Sequence, residues 1–131
     1  MITTEVGVSG NADLLAELDT RYVLKRADTL EIADTSYDLA AEALAKYVHM
    51  TNGSANTVSI RLDATEDLGD DFAAVIVWYG VGQTTISAVA GVTLNGVDGG
   101  GCTINARYQA VDVRKVGANA WHILGDHGTV S

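Results

Sequence analysis

The clearest feature of this sequence is an alternation of apolar and polar residues at positions 57–62. Val58, Ile60 and Leu62 fall on one face of that stretch and polar side chains fall on the other, a pattern typical of a strand with one buried face. Residues 72–81 (FAAVIVWYGV) are instead apolar at nearly every position. They predict a central strand that is covered on both faces.

Five further strands are predicted after residue 81, with Gly and Asn between them. They cover residues 84–88, 92–94, 103–105, 108–116 and 120–124. The pair Asn95-Gly96 has the composition of a type I′ hairpin turn. Short strands with this punctuation indicate a mainly β fold, and we expect an antiparallel β-sandwich or barrel-like domain.

The first 45 residues follow a different pattern, so we divide the chain into an N-terminal segment (1–45) and a β domain (46–131). Residues 1–9 are predicted to be an extended arm. Residues 11–22 (NADLLAELDTRY) predict a short helix with a narrow apolar stripe, which needs a partner because three turns are marginal alone. Residues 35–46 fit either helix or strand.

We expect the N-terminal segment to make oligomer or anchoring contacts through its apolar side chains. These residues are Leu14, Leu15, Leu18, Tyr22 and Val23.

Composition narrows the possible partners. The chain has 131 residues, 47% of them hydrophobic, which is enough for one domain with a real core. Its 8 basic and 17 acidic residues give a net charge of −9, so we expect neither a nucleic-acid nor an anionic-membrane partner. The single cysteine, Cys102, cannot form an intrachain disulfide and indicates a reducing cytoplasm. We expect no signal peptide and no membrane span, because no apolar run is long enough.

Residues 63–71 (DATEDLGDD) are an acidic segment between two predicted strands. Carboxylates are preferred calcium ligands, so a calcium site is one interpretation. The spacing departs from the helix-loop-helix calcium motif, since Leu68 and Ala74 stand where that motif has Gly and Glu. A solvated loop is the other interpretation, and we expect no metal and no cofactor.

Residues 96–101 and Cys102 could suggest a phosphate-binding loop and a reactive thiol, but neither has the sequence context that such a site needs. Residues 96–101 (GVDGGG) are Gly-rich but lack the Lys-Ser/Thr pair that grips a phosphate, so they predict a turn. Cys102, which follows them, is interpreted as a small residue at the start of a strand.

Several residues have the chemistry of a hydrolytic triad but not its sequence signatures. The histidines and aspartates concerned are His49, His122, His127, Asp112 and Asp126. Nothing in their spacing identifies a nucleophile. We therefore expect no catalytic residues and no enzymatic activity.

Four aromatic residues on or beside predicted strands have the chemistry of a sugar-stacking platform. The possible glycan-facing residues are Trp78, Tyr79, Tyr108 and Trp121. Packing in the core is the alternative for each of them.

A series of short segments follows in a specific order between residues 37 and 126. The series includes KYVHM at 46–50, SANTVSI at 54–60, YGVGQTT at 79–85 and GVTL at 91–94. The closing segment contributes Tyr108, Ala110, Lys115, Val116, Asn119, Trp121, Ile123, Gly125 and Asp126. In this order the segments resemble a module of bacteriophage virion proteins, found in tail fibres, head fibres and capsid decoration proteins. Ala45 departs from the family pattern, which often has Gly there, and so does Arg61-Leu62 in place of a Pro.

The resemblance implies a virion structural protein, assembled in the host cytoplasm, with no catalytic residues. Residues 18–25 are similar to segments that precede such domains in fibre proteins, where chains commonly form homotrimers. We expect a head decoration (cement or head-fibre) protein that binds the major capsid protein through residues 1–45. The alternative is a tail-fibre or tail-associated adhesion module that binds a tail protein and a host surface glycan.

Overall fold

The computed structural model describes residues 28–131, which fold into eleven β-strands and one 3-10 turn (Ala41–Ala43). The strands are β1 (Thr29–Ile32), β2 (Ser36–Asp38), β3 (Tyr47–Met50), β4 (Asn56–Ile60), β5 (Ala73–Trp78), β6 (Thr84–Ala88), β7 (Thr93–Leu94), β8 (Val97–Asp98), β9 (Gly101–Thr103), β10 (Ala110–Gly117) and β11 (Ala120–Gly125). The mainly β fold is confirmed. The predicted arm (1–9) and helix (11–22), with the five anchoring residues, lie outside the described part of the chain.

The strands form two mixed sheets. One has seven strands in the order β1-β3-β5-β10-β11-β7-β8, and the other has four in the order β2-β4-β6-β9. The first six strands alternate between the sheets: β3 lies parallel to β1 and β5, and β4 lies parallel to β2 and β6. They therefore make three stacked turns of a coil.

The prediction of an antiparallel fold is correct for only part of the chain. Strand β10 is antiparallel to β5 and β11, β6 is antiparallel to β9, and β7 is antiparallel to β8. The coil and the β7–β11 pair are parallel. Apolar alternation shows which face of a strand is buried but carries no information on the direction of its neighbour. Strands of the coil are parallel because each returns to its sheet only after the chain has passed through the other one.

Alternate residues of both sheets point into one hydrophobic core. Val58 and Ile60 of β4 are buried there as predicted, together with Ala74 and Ile76 of β5. The opposite face of β5 carries Val75 and Val77, which are only half-buried. The pattern of residues 72–81 predicts cover on both faces. Within residues 28–131, however, no strand or helix lies over this second face.

The corners of the coil stack on one another through backbone hydrogen bonds. Thr51 N–H donates to the Ile32 carbonyl at 2.9 Å, and Gly80 N–H donates to the Met50 carbonyl at 2.8 Å. Asn56, buried at the start of β4, accepts a 2.6 Å hydrogen bond on Oδ1 from Thr84 Oγ1. These bonds satisfy polar groups where the chain turns from one sheet to the other.

Two local predictions have clear outcomes. The Asn95-Gly96 turn joins β7 to β8 with φ of 48° and 82°, which confirms the type I′ assignment. The ambiguous residues 35–46 contain both strand β2 and the 3-10 turn. Because β1 pairs with β3 and β2 with β4, the described end of the N-terminal segment is built into the same sheets as residues 46–131.

Candidate functional site

A group of three rings in contact lies at the surface, at one end of the seven-stranded sheet. The rings of His49 and Tyr79 are nearly parallel, with centroids 4.5 Å apart and an interplanar angle of 14°. Tyr79 meets Tyr108 edge to face at 5.7 Å. The guanidinium carbon of Arg107 lies 4.6 Å from the centre of the Tyr108 ring. We refer to His49, Tyr79, Arg107 and Tyr108 as the aromatic group.

Three separate elements bring the aromatic group together. His49 points away from the core because its neighbours on β3, Val48 and Met50, are fully buried. Tyr79 follows β5, and its N–H donates to the Met50 carbonyl at 3.1 Å. Tyr108 precedes β10 and donates its N–H to the Trp78 carbonyl at 2.7 Å.

The backbone at Tyr108 is in an uncommon conformation. Its φ is +71°, a left-handed value that is costly for a bulky side chain and is often found at functional sites. Arg107 supports this loop, since its Nε donates to the Tyr79 carbonyl at 3.1 Å. Tyr108 is 63% exposed and Tyr79 is 42% exposed, so the fold holds both rings at the surface in a fixed arrangement.

The four predicted glycan-facing residues do not share one surface. Tyr79 and Tyr108 are together in the aromatic group. Trp121 is buried in the core and packs edge to face on Phe72, with centroids 5.6 Å apart. Trp78 is half-buried, at the end of β5. His49 and Arg107 join the surface rings. Sequence reasoning missed them because their contacts with Tyr79 join residues 30 and 28 positions apart.

The acidic segment 63–71 is an inter-strand loop between β4 and β5, as predicted, and its carboxylates surround a lysine. Lys115 Nζ lies 2.9 Å from Asp63 Oδ2, 2.9 Å from Asp67 Oδ1 and 3.7 Å from Asp70 Oδ1. Within residues 28–131 no cluster of three His, Cys, Asp or Glu side chains is placed to bind a metal ion. The loop carboxylates thus converge on an ammonium group of the protein itself.

The burial of Lys115 explains why its partners are arranged in this way. Its side chain is only 1% exposed, and a buried ammonium group requires a counter-charge. Burial acts to lower the pKa of Lys115, but the hydrogen bonds to Asp63 and Asp67 outweigh that effect and raise it. The sequence holds one signal for the contact of Lys115 with the acidic loop. Lys115 alternates in phase with the inward-facing Val111 and Val113. An inward-facing lysine needs a counter-charge, and residues 63–71 are the acidic segment that can supply it.

The loop is also fixed to the turn that follows β10. Asp63 N–H donates to Asn119 Oδ1 at 2.7 Å, and Asn119 N–H donates to Asp63 Oδ2 at 3.0 Å. Asp63 therefore binds two positions of the β10–β11 hairpin through one side chain. These contacts hold the acidic loop against the β10–β11 hairpin and occupy the Asp63 carboxylate, so this arrangement stabilises the fold and is not an open ligand site.

The histidines and aspartates considered for a triad do not form one among the described residues. Asp112 Oδ2 accepts a hydrogen bond from Arg114 Nε at 2.9 Å, and Asp126 Oδ1 accepts one from Asn105 Nδ2 at 2.6 Å. His127 contacts the carbonyl of Gly128. His122 is exposed on β11, as its alternation with buried neighbours predicts.

Cys102 lies buried in the middle of the short strand β9, close to the predicted position at a strand start. Burial raises the pKa of its thiol, which disfavours the reactive thiolate.

Comparison of the chain with protein-family models, with curated proteins and with solved structures found no match. Among the described residues, no helix has the length and apolar character needed to cross a membrane.

Proposed function

We propose that this chain is a bacteriophage virion structural protein, most simply a homotrimeric head decoration protein that anchors through its N-terminal segment. The observation that supports the proposal is the first turn of the coil, formed by β1 and β2, whose outer strand edges are unpaired among the described residues; we call this the open end of the coil. Strands β1 and β2 are edge strands of the two sheets, and each pairs on one side only among the described residues. Unpaired strand edges are binding sites for another segment or chain.

The position of this open end supports anchoring at the N-terminus. β1 and β2 are the first two strands of the described chain, so both edges lie where residues 1–27 join the fold. Three of the segments that carry the phage resemblance fall on the coil: 46–50 covers β3, 54–60 covers a corner and β4, and 79–85 covers the next corner and the start of β6. A net charge of −9 is compatible with many copies staying soluble before assembly.

The copy number per purified virion tests this proposal. Quantitative mass spectrometry, with the major capsid protein as internal reference, should give a number comparable to the capsid protein or a fixed large fraction of it. A handful of copies would contradict a head decoration role and favour the tail. Complete absence from virions would overturn the virion assignment itself.

Variants in the N-terminal segment test how the chain assembles. Leu14→Asp with Leu18→Asp places two charges on the predicted apolar stripe and should abolish the oligomer measured by light scattering. The matched control, Ala16→Asp with Thr20→Asp, adds the same charge on the opposite side of a helix. Equal loss in both variants, or normal assembly of the first, would contradict anchoring through the stripe.

A second candidate function is adhesion to a host glycan, and the aromatic group favours it. Tyrosine side chains offer a rigid apolar ring with a polar hydroxyl and lose little conformational entropy on binding. Arg107, held against Tyr108, adds hydrogen-bond donors beside the rings. Such a surface suits a sugar, which presents an apolar C–H face and hydroxyls at its rim.

Binding of immobilised host surface polysaccharide tests the adhesion function. Tyr108→Ala and Tyr79→Ala should each weaken binding by about tenfold or more. Tyr47→Ala is the matched control, because Tyr47 is 47% exposed but has no ring contact with the aromatic group. If the wild-type chain shows no binding, or if all three variants bind alike, the adhesion candidate fails.

A further inference from the structure

Arg107 carries a positive charge that no carboxylate within residues 28–131 neutralises. Arg61 and Arg114, the other arginines of that range, each form an ion pair with an acidic side chain, and so does Lys115. Acidic residues outnumber basic ones by 17 to 8 in the chain. An exposed arginine that none of the described carboxylates pairs with is available to an anion from outside.

The guanidinium group of Arg107 is held in place at two points. Its Nε donates to the Tyr79 carbonyl at 3.1 Å, and its carbon lies 4.6 Å from the centre of the Tyr108 ring. Neither contact uses the two Nη groups, which make no hydrogen bond to the described part of the chain. Arg107 thus presents donors in a fixed position, and less conformational entropy is lost when an acceptor binds them.

The turn that carries Arg107 and Tyr108 is strained. Gln109 N–H donates to the Ala106 carbonyl at 3.2 Å, which closes a four-residue turn with Arg107 and Tyr108 at its centre. Tyr108, with φ of +71°, is the third residue of this turn, where a positive φ favours Gly or Asn. Strain of this kind is typical of ligand-binding sites, so the turn has the character of a binding element.

Two carboxylates lie beside the aromatic group and leave Arg107 open. Glu31 on β1 is the cross-strand neighbour of His49, and Asp126 accepts a 2.6 Å hydrogen bond from Asn105 Nδ2. Neither forms an ion pair with Arg107. At physiological salt the Debye length is about 8 Å, so the net charge of −9 is largely screened from an anionic polymer beyond that distance.

The guanidinium and the rings together favour a ligand with two features. An exposed ion pair contributes little by itself, so a free carboxylate should bind weakly. A sugar ring that also carries a carboxylate uses both the tyrosines and Arg107. The planar carboxylate accepts two parallel N–H bonds from a guanidinium, which a single hydroxyl group cannot do.

We propose that the aromatic group binds an acidic sugar, with Arg107 Nη donating to its carboxylate and the rings of Tyr79 and Tyr108 packing on its apolar face. The inference rests on the adhesion function proposed above and names the chemistry of the glycan. Uronic acids and sialic acids both have this chemistry, because each carries a carboxylate on the sugar ring. Neutral sugars lack the partner for Arg107 and bind more weakly.

Removal of the carboxylates from the polysaccharide tests the inference. Host surface polysaccharide is immobilised in its native form and after carbodiimide–borohydride reduction, which converts carboxylates to primary alcohols and keeps the sugar rings. At physiological salt the wild-type chain should bind the native form about tenfold or more tightly than the reduced form. Polygalacturonate and polysialate, measured in parallel, distinguish uronic acids from sialic acids.

Substitution of Arg107 tests which residue contacts the carboxylate. Arg107→Gln should bring the ratio of native to reduced affinities close to one. Arg107→Lys keeps the charge but loses the fork of donors, so its ratio should lie between those of the wild type and Arg107→Gln. Arg114→Gln, the matched control, removes the same charge from an exposed arginine on β10 and should keep the wild-type ratio. Circular dichroism verifies that each variant is folded.

The outcomes separate this inference from the adhesion function. Equal binding of both forms by the wild type, lost in Tyr108→Ala, would overturn the acidic ligand and leave adhesion standing. An Arg107→Gln variant that keeps the wild-type ratio would also overturn the inference, because another group would then contact the carboxylate. Binding to neither form would contradict adhesion itself and, with it, the inference.

Discussion

Lys115 Nζ lies 2.9 Å from Asp63 Oδ2, and this contact joins the acidic loop to the central strand β10. Because the Lys115 side chain is almost fully buried, its removal leaves the Asp63 carboxylate without a counter-charge. We expect Lys115→Met to destabilise the fold by about 3 kcal/mol, the low end for a broken buried ion pair. Arg114→Met is the control: the exposed Arg114–Asp112 pair should contribute less than about 1 kcal/mol. Urea unfolding followed by tryptophan fluorescence measures the free energy of unfolding of both variants. Equal losses in the two variants would contradict a stabilising role for the contact between Lys115 and the acidic loop.

The contact between Lys115 and Asp67 in the same loop predicts how stability depends on pH. The backbone N–H of Gly69, and then Lys115, lower the pKa of Asp67 from its ordinary 3.8. A lowered carboxyl pKa means that the native state binds fewer protons, so this stabilisation is present above pH 3.8 and is lost as the pH falls through the lowered value. Because the pKa of Lys115 is raised above 10.5, its stabilisation is present below that pH and is lost as the pH rises through the raised value.

Urea midpoints measured across the pH range should therefore form a plateau that falls at both ends. Asp67→Asn should lower the plateau and flatten its acid limb. Asp71→Asn removes the same charge from the same loop, but Asp71 makes no bond to Lys115 within the described chain, and the variant should keep the wild-type profile. If the two profiles coincide, the contact between Asp67 and Lys115 is not the source of the acid limb.

Thr84 and Asn56 form a buried polar pair at the corners of the coil. Asn56 Nδ2 donates to the carbonyls of Ser54 and Gly82, and its Oδ1 accepts the Thr84 hydroxyl proton. Thr84→Val keeps the shape but leaves Asn56 Oδ1 unsatisfied, which should cost about 1–3 kcal/mol. Thr85→Val, the same change at the next, outward-facing residue, should stay within about 0.5 kcal/mol. Chemical denaturation of both variants decides whether the pair contributes as described.

Sequence reasoning identified individual strands better than it identified their arrangement. The alternation at 57–62 and the segment 84–88 predicted β4 and β6 closely, because a strand with one buried face has period 2 whatever its neighbours are. β1 was missed because it is only four residues long and lies in an acidic segment. β2, three residues long, lies in residues 35–46, where the sequence fitted either helix or strand. The parallel stacking of the coil depends on contacts 18–28 residues apart, such as Thr29 with Tyr47, and single-strand periodicity does not encode them.

For the candidate sites, too, the sequence indicated individual residues better than it indicated their arrangement. Tyr79 and Tyr108 could be selected by residue type, but their contact with each other and with His49 depends on the order of β3, β5 and β10 in the sheet. Trp121 has the same chemistry and faces the core, because it is in phase with the buried Ile123. Residue type therefore indicated the chemistry, and strand phase determined which rings reach the surface.

Gly82 lies where two corners of the coil approach most closely. A Cβ atom at this position would collide with the carbonyl group of Ser54 in the preceding corner, and Gly82 N–H donates to the Asn52 carbonyl at 3.1 Å. A backbone collision cannot be relieved by a side-chain rotation, so Gly82→Ala should cost about 3 kcal/mol. Gly53→Ala is the matched control in the preceding corner, because a Cβ there meets nothing within 4 Å. That variant should change stability by less than about 1 kcal/mol. Thermal unfolding of the two variants compares them directly, and a Gly82→Ala protein as stable as the control would show that the corners are not in the close contact that stacks the coil.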